Sequence, residues 1–224
     1  MKFIFFQIIN VDLDKQRKEM IQFLENCGYI KYPAVKRAML KVKREDFVPP
    51  EYRDQTYSNT PLPIPGNVTI SAEHIHAIFL SALKLKPGEK VLEIGAGSGI
   101  LLAYMKEIVG EKGEVYGIEI IPETYEFAKK NLKRTGYWDK VKLILGDGSK
   151  GLPKYAPFDK IVSSAAPKER IPKAWIDQLK PGGILVTPLG PTYKQDLICL
   201  EKAKDGRIIK KNLGPVVFVE LIEK

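Results

Sequence analysis

The chain has 224 residues, enough for one large domain or a domain with an appendage, and its 44% hydrophobic content supports a real core, which excludes a disordered chain. The 36 Lys and Arg against 27 Asp and Glu leave a formal charge of +9, but the basic residues are scattered, with no run of five like charges; this reads as a solvated surface ahead of a nucleic-acid or acidic-substrate patch. The two cysteines, Cys27 and Cys199, have no partner motif and point to a reducing, cytoplasmic setting, and no apolar run nears the roughly 18 residues of a membrane-spanning helix.

The N-terminal "MKFIFFQII" resembles a shortened signal peptide, yet Gln7 interrupts it and the charged "DLDKQRKE" follows where a small-residue cleavage site belongs. It reads as an ordered arm or strand packed on the chain's own body or a neighbouring subunit, or as residues from an upstream start codon. Residues 12–27 read as a helix with Leu13, Met20, Leu24 and Cys27 on one face and Gly28 as its stop. Pro33 opens a second helix carrying Val35, Ala38, Met39 and Val42. The stretch "FVPPEYRDQTYSNTPLPIPGN" holds five prolines and little periodicity, so a long loop is expected, of the kind that often serves a site. A helix follows at "AEHIHAIFLSALKL", with Ile75, Phe79, Ala82 and Leu83 as its buried stripe and Ser71 in the N-cap position.

From Lys90 the pattern alternates. Strands are expected at "KVLEIG", "EVYGIE", "KVKLILGD", "FDKIVSSAA" and "GILVTPLG", with helices at "GILLAYMKEIVG", "IPETYEFAKKNLKRTG" and "RIPKAWIDQLK". This is a βαβ series, hence an α/β, doubly wound, Rossmann-like sheet, mostly parallel, with ligands at the carboxyl ends of its strands. Two further strands, at "DLICLEKA" and "GPVVFVELIEK", separated by "KDGRIIKKNLG", are expected to close the edge in antiparallel fashion. Residues 1–89 are thus an arm, helices and a proline-rich cover and residues 90–224 the core; residues 10–224 are expected to form one compact domain.

"VLEIGAGSGI" sets Gly95, Gly97 and Gly99 between a buried strand and a helix, where glycine permits a sharp turn and close approach of a ligand. The spacing is GxGxG: Ile100 stands where the dinucleotide fingerprint needs glycine, no Gly-Lys-Ser/Thr follows, and Ala96 occupies the first glycine position of a nucleophile elbow. A tight turn with no ligand is the bland alternative. Against it, Glu119 ends the second strand, where a carboxylate can accept both hydroxyls of a ribose, and Asp147 ends the third, where it can accept from an adenine amino group while Gly148 allows close approach. Glu93, just before the glycines, can hold a cationic amino group. The set resembles the S-adenosylmethionine site of class I methyltransferases.

Beyond that general class, "YSNTPLPI", "TISAEHIHA", "VLEIGAGSG", "GDGSKGLP", "APFDKIV" and "QLKPGGILVTPLG" resemble the protein-L-isoaspartate O-methyltransferase family, from about "MLKVKREDFVP" to "VVFVEL". The resemblance implies S-adenosyl-L-methionine as cofactor, S-adenosyl-L-homocysteine as product, and methylation of the α-carboxylate of L-isoaspartyl residues in aged peptides and proteins, the ester then closing to a succinimide. It implies Ser71 as the active-site residue and Thr69, Ile70, Ser71 and His76 as cofactor contacts. Residues two apart on a helix point to nearly opposite sides, so His74 and His76 cannot share one metal, and none is expected; His74 is expected to pack or cap. Two positions depart from the family: Glu73 stands where proline or an apolar residue is common and Glu220 where "FVPL" is typical. Each adds a carboxylate near a site that receives one, or points to solvent. The alternatives are a same-fold methyltransferase acting on another carboxylate or on RNA, and a non-catalytic cofactor-binding module. No basic stripe interleaved with aromatics and no "NPPY"-type motif favours RNA.

Overall fold

The computed structural model describes residues 12–223; the apolar arm expected over residues 1–9 lies outside the described residues. Helix α1 (Leu13–Asn26) starts where the Asp12 carboxylate accepts the Lys15 amide at 3.0 Å and stops before Gly28. Its buried residues are Arg17, Ile21 and Leu24, while Cys27 is exposed, so the face expected from Leu13 and Cys27 is rotated. The cause is ionic: Arg17 turns inward to meet Glu45 at 3.0 Å. Helix α2 (Pro33–Lys41) buries Val35, Ala38 and Met39 as its spacing predicts.

The proline-rich stretch is not all loop. A 3-10 turn, Pro50–Gln55, precedes a small antiparallel hairpin, β1 (Leu62–Ile64) and β2 (Val68–Ile70), in which Leu62 faces Ile70. Its Leu–Pro–Ile strand is buried–exposed–buried, with Pro63 outward, as edge strands permit. Helix α3 (Glu73–Leu83) buries nearly all round: His76, Ala77, Phe79, Leu80, Ser81 and Leu83 are inside, while Ile75 and Ala82 of the expected stripe are only partly covered.

The core runs β3 (Lys90–Ile94), α4 (Ile100–Val109), β4 (Glu114–Glu119), α5 (Pro122–Arg134), β5 (Lys142–Leu145), β6 (Phe158–Ser163), α6 (Lys173–Asp177), β7 (Leu179–Leu189), β8 (Gln195–Lys202) and β9 (Ile208–Val216). One seven-stranded sheet has the order β5-β4-β3-β6-β7-β8-β9, parallel through β7 and antiparallel beyond. The strand order reverses between β3 and β6, which opens a crevice at their carboxyl ends. Alternation along β3 serves both faces: Val91 joins the apolar cluster of Leu24, Met39, Leu80 and Leu101, and Leu92 joins that of Tyr116, Ile161 and Trp175.

The last strand is not where the apolar residues predict it. "IIKKNLGPV" forms β9, mostly exposed and paired along β8, while residues 217–222 leave the sheet. An edge strand with little buried surface needs no apolar alternation, so lysines suffice there. The apolar "VFV" serves another surface, the crevice.

Within the cover, the N-terminal helices are tied to the stretch that follows them by buried charge as well as by apolar contact. Glu45 takes Arg17 and the Tyr57 hydroxyl; Arg44, fully buried, donates from Nε to the Thr56 carbonyl at 3.0 Å. Glu73 is 2% exposed, which excludes the solvent-facing alternative for this departure, and the Tyr104 hydroxyl lies 3.4 Å from each of its oxygens. Burial alone would raise its pKa; His76, Arg44 and Tyr104 outweigh burial and hold it low, as a carboxylate.

Candidate active site

The glycine turn begins as β3 ends, with the Gly95 amide donating to the Ile118 carbonyl at 2.9 Å. Gly97 sits at φ +56°, a left-handed backbone that side chains disfavour, and this points its amide at Glu119 Oε2, 3.0 Å away. Glu119 Oε1 accepts the Ile120 and Ile121 amides at 2.8 and 3.0 Å. Three backbone amides thus lock the acid at the tip of β4, 5% exposed, where it lines the crevice. Gly99 is the N-cap of α4, packs on Leu132, and lies behind the crevice wall.

Glu93 is 2% exposed, and its Oε2 has no hydrogen-bond partner; Oε1 accepts the Ser164 hydroxyl at 3.3 Å. Burial pushes its pKa well up, the Ser164 bond opposes this, and the Glu119 charge adds to the rise. A buried, half-satisfied carboxyl is costly unless a donor or cation meets it. Gly148 lines the floor, where a β-carbon would lie 2.6 Å from Ile94 Cγ2. Asp147 is not among the lining residues: its Oδ1 accepts the Ser149 amide at 2.8 Å and its Oδ2 lies 3.5 Å from Lys150.

The opposite wall is the "TIS" element. Thr69 and Ile70 come from β2, Ser71 from the link to α3, and all three line the cavity. Ser71 is not the cap of α3. The N-cap position is Ala72, and Asn59 of the proline-rich stretch accepts the His74 amide at 3.0 Å instead. The same Asn59 oxygen lies 3.0 Å from His74 Nδ1, so His74 is held outward against the loop, with Tyr29 beside its ring. His76 faces the cavity, 4% exposed, edge-on to Tyr104. Burial lowers its pKa, with Arg44 adding and Glu73, 3.8 Å from Nδ1, opposing, so the ring is neutral.

The third wall is the segment of Glu220, which the resemblance sets on the peptide-binding side and whose apolar pattern reads as a closing strand. Residues 217–222 run across the crevice, held by Gln195, whose Nε2 donates to the Phe218 carbonyl at 3.0 Å and whose Oε1 accepts the Phe218 amide at 2.6 Å. Phe218 stacks on Phe79 at 5.6 Å, and the Ala166 amide donates to the Val219 carbonyl at 2.8 Å. Ser164 and Ala165, just past β6, also line it; the rule that ligands sit at the switch point could have found them. The enclosed space is about 510 Å³, the size of a site for a nucleoside-sized ligand. Among the described residues, no three His, Cys, Asp or Glu cluster as metal ligands.

A parallel sheet whose first strand ends in a GxGxG turn, tied by a hydrogen bond to the acid at the tip of the next strand, defines a Rossmann-like methyltransferase. The model of the family protein-L-isoaspartate(D-aspartate) O-methyltransferase matches residues 15–224. Proteins named protein-L-isoaspartate O-methyltransferase from Methanococcus aeolicus and Hyperthermus butylicus are 50% and 48% identical to this chain, over 94% and 92% of it and 95% and 88% of their own lengths. A crystal structure described as this enzyme from Plasmodium falciparum, in complex with S-adenosyl-L-homocysteine, superposes with a TM-score of 0.83 at 30% identity, covering 93% of this chain and 99% of that one. The chain belongs to the protein-L-isoaspartate(D-aspartate) O-methyltransferase family.

Proposed function

We propose that this chain transfers a methyl group from S-adenosylmethionine to the α-carboxylate of L-isoaspartyl residues in damaged peptides and proteins, opening their repair through a succinimide. The observation that carries the reading is the buried, unpaired Oε2 of Glu93 in a crevice that also holds the Gly97–Glu119 unit. A cationic ligand with a ribose answers both groups. Glu93 would take its amino group, Glu119 its ribose hydroxyls, Gly95 and Gly97 would allow its close approach, and Gly148 would floor its base. Asp147, two residues beyond β5, would take the adenine amino group at the rim; Gly99 serves by shaping the turn.

When bound, the cofactor supplies a methyl group on a positively charged sulfur. The protein then has little proton chemistry to do, because a carboxylate at neutral pH is already deprotonated. Its residues position and dehydrate. Ser71 offers a hydroxyl with no partner among the described residues to orient the incoming carboxylate, and Thr69 and Ile70 set the height of that wall. His76, kept neutral by burial, adds no positive charge beside a cation. Phe218, buried against Phe79, gives the far wall its apolar surface, with Val217 and Val219 at its exposed rim.

The apolar cluster that spans α1, α2, α3 and the sheet supports treating the cover, up to residue 89, and the core from residue 90 as one compact domain. No helix among the described residues is long and apolar enough to cross a membrane, and both cysteines are unpaired, which supports a cytoplasmic setting. The test is transfer of a radiolabelled methyl group to paired isoaspartyl and aspartyl peptides. Base-labile label on the isoaspartyl member alone is expected; label on both or neither overturns the assignment.

A further inference from the structure

Three separate segments meet at the open side of the cavity. Glu220, on the segment that crosses the crevice, bridges to Ala166, where the Leu221 amide donates to the Ala166 carbonyl at 2.9 Å. Its Oε1 accepts the Thr192 hydroxyl from the β7–β8 turn at 2.7 Å, and its Oε2 pairs with Lys168 Nζ, from the loop after β6, at 2.8 Å. Both Thr192 and Glu220 line the cavity.

The charges have a consequence for what enters. On the function proposed above, the substrate brings its own carboxylate past Glu220. A bare carboxylate at that position would repel it; Lys168 masks the charge. The pair is also open to exchange, because its side chains are 61% and 38% exposed and an ion pair in contact with water is held weakly. A cationic side chain next to the isoaspartyl residue can take Glu220, which frees Lys168 to face the incoming carboxylate. An acidic neighbour can take only Lys168, which uncovers Glu220 against the substrate.

We propose that Lys168 and Glu220 form a charge-sorting pair at the mouth of the site, and that the preferred substrates are isoaspartyl segments with a lysine or arginine beside the damaged residue. This rests on the isoaspartyl reading. Lys168 and Glu220 are specificity-determining residues and leave the methyl transfer itself to the inner walls.

The experiment measures KM and kcat for isoaspartyl peptides flanked by Ala, Glu or Lys, in the wild type, Glu220→Gln, Lys168→Gln and the swap Lys168→Glu/Glu220→Lys. The wild type is expected to favour the Lys-flanked over the Glu-flanked peptide by about two- to fivefold in KM, the range of an exposed ion pair. Glu220→Gln should lose that preference, Lys168→Gln should raise KM for the Ala-flanked peptide, and the swap should move the preference toward the Glu-flanked one. In each case kcat should be close to wild type and the preference should fade as salt is added. A wild type that methylates all three peptides with one KM, or four enzymes sharing one pattern, overturns the sorting pair and leaves the isoaspartyl reading intact. A wild type that methylates none overturns both.

Discussion

The Gly97 amide donates to the Glu119 carboxylate at 3.0 Å, so the glycine turn after β3 and the acid at the end of β4 are one hydrogen-bonded unit. Neither half keeps its geometry without the other. The acid is fixed by backbone before any ligand arrives, and the turn has an acceptor for an amide that would otherwise face a buried space.

Replacement of Glu119 should therefore affect two measurements. Glu119→Ala strands the Gly97, Ile120 and Ile121 amides, and unfolding in urea should show a loss of about 1–3 kcal/mol. Calorimetry with S-adenosylhomocysteine should show weaker binding in the same variant. Affinity equal to wild type would remove Glu119 from the ribose contact, whatever its effect on stability.

Ser71→Ala should separate activity from stability. Asn59, rather than Ser71, caps α3, and the Ser71 hydroxyl has no partner among the described residues. Stability should stay within about 0.5 kcal/mol of wild type, as for an uninvolved surface position. Methyl transfer should fall more than about tenfold. Turnover near wild type would remove Ser71 from the reaction.

The complementary variant is Asn59→Ala. It removes the acceptor for the His74 amide and places alanine at φ +57°, which asparagine tolerates better. The cap alone is worth about 0.5–2 kcal/mol. Chemical unfolding should show at least that loss, and Asn59→Asp, which keeps an acceptor, should recover most of it. Equal stability of the two variants would mean that the cap contributes nothing.

Glu93 should make cofactor binding proton-linked. Its raised pKa means that the ligand-free fold holds a proton that the unfolded chain, titrating near about 4.3, has released. From that pH up to the raised value, the Glu93 contribution to stability falls as pH rises. A cation bound against the carboxyl expels the proton, so affinity should rise with pH over the same window. Calorimetry with S-adenosylhomocysteine in buffers of different ionisation heat should detect release of a proton by the wild type and none by Glu93→Gln. His76, whose pKa burial lowers, gives stability the opposite slope below about 6.5, and it is common to both proteins. Equal proton release by both would place the proton elsewhere.

The parallel core was legible because its first three strands, β3, β4 and β5, end in a chemical mark: glycines after Ile94, Glu119 after Ile118, Asp147 and Gly148 beyond Leu145. These marks are local, and local pattern is what a sequence shows. The "TIS" wall and its serine came through resemblance, since Ser71 read locally as a cap. What stayed hidden was non-local. Arg17 turned α1 because of Glu45, 28 residues away, and Asn59 took the capping role from Ser71 by accepting the amide of His74, 15 residues on. The final wall was misread as a strand because "VVFVEL" has the apolar content of one, while β9 hides in lysines.

The buried ionic joint inside the cover, between α1 and the segment around Glu45, also has a thermal consequence. The cost of dehydrating charged groups falls as temperature rises, whereas the gain from apolar burial levels off. Arg17 and Glu45, each with only 6% of its side chain exposed, and the fully buried Arg44 hold the pieces of the cover to one another through charge. Heat should thus loosen this attachment less than it would a purely apolar contact of equal area. The walls around the crevice can then stay in register at temperatures where a greasier hinge would begin to slide.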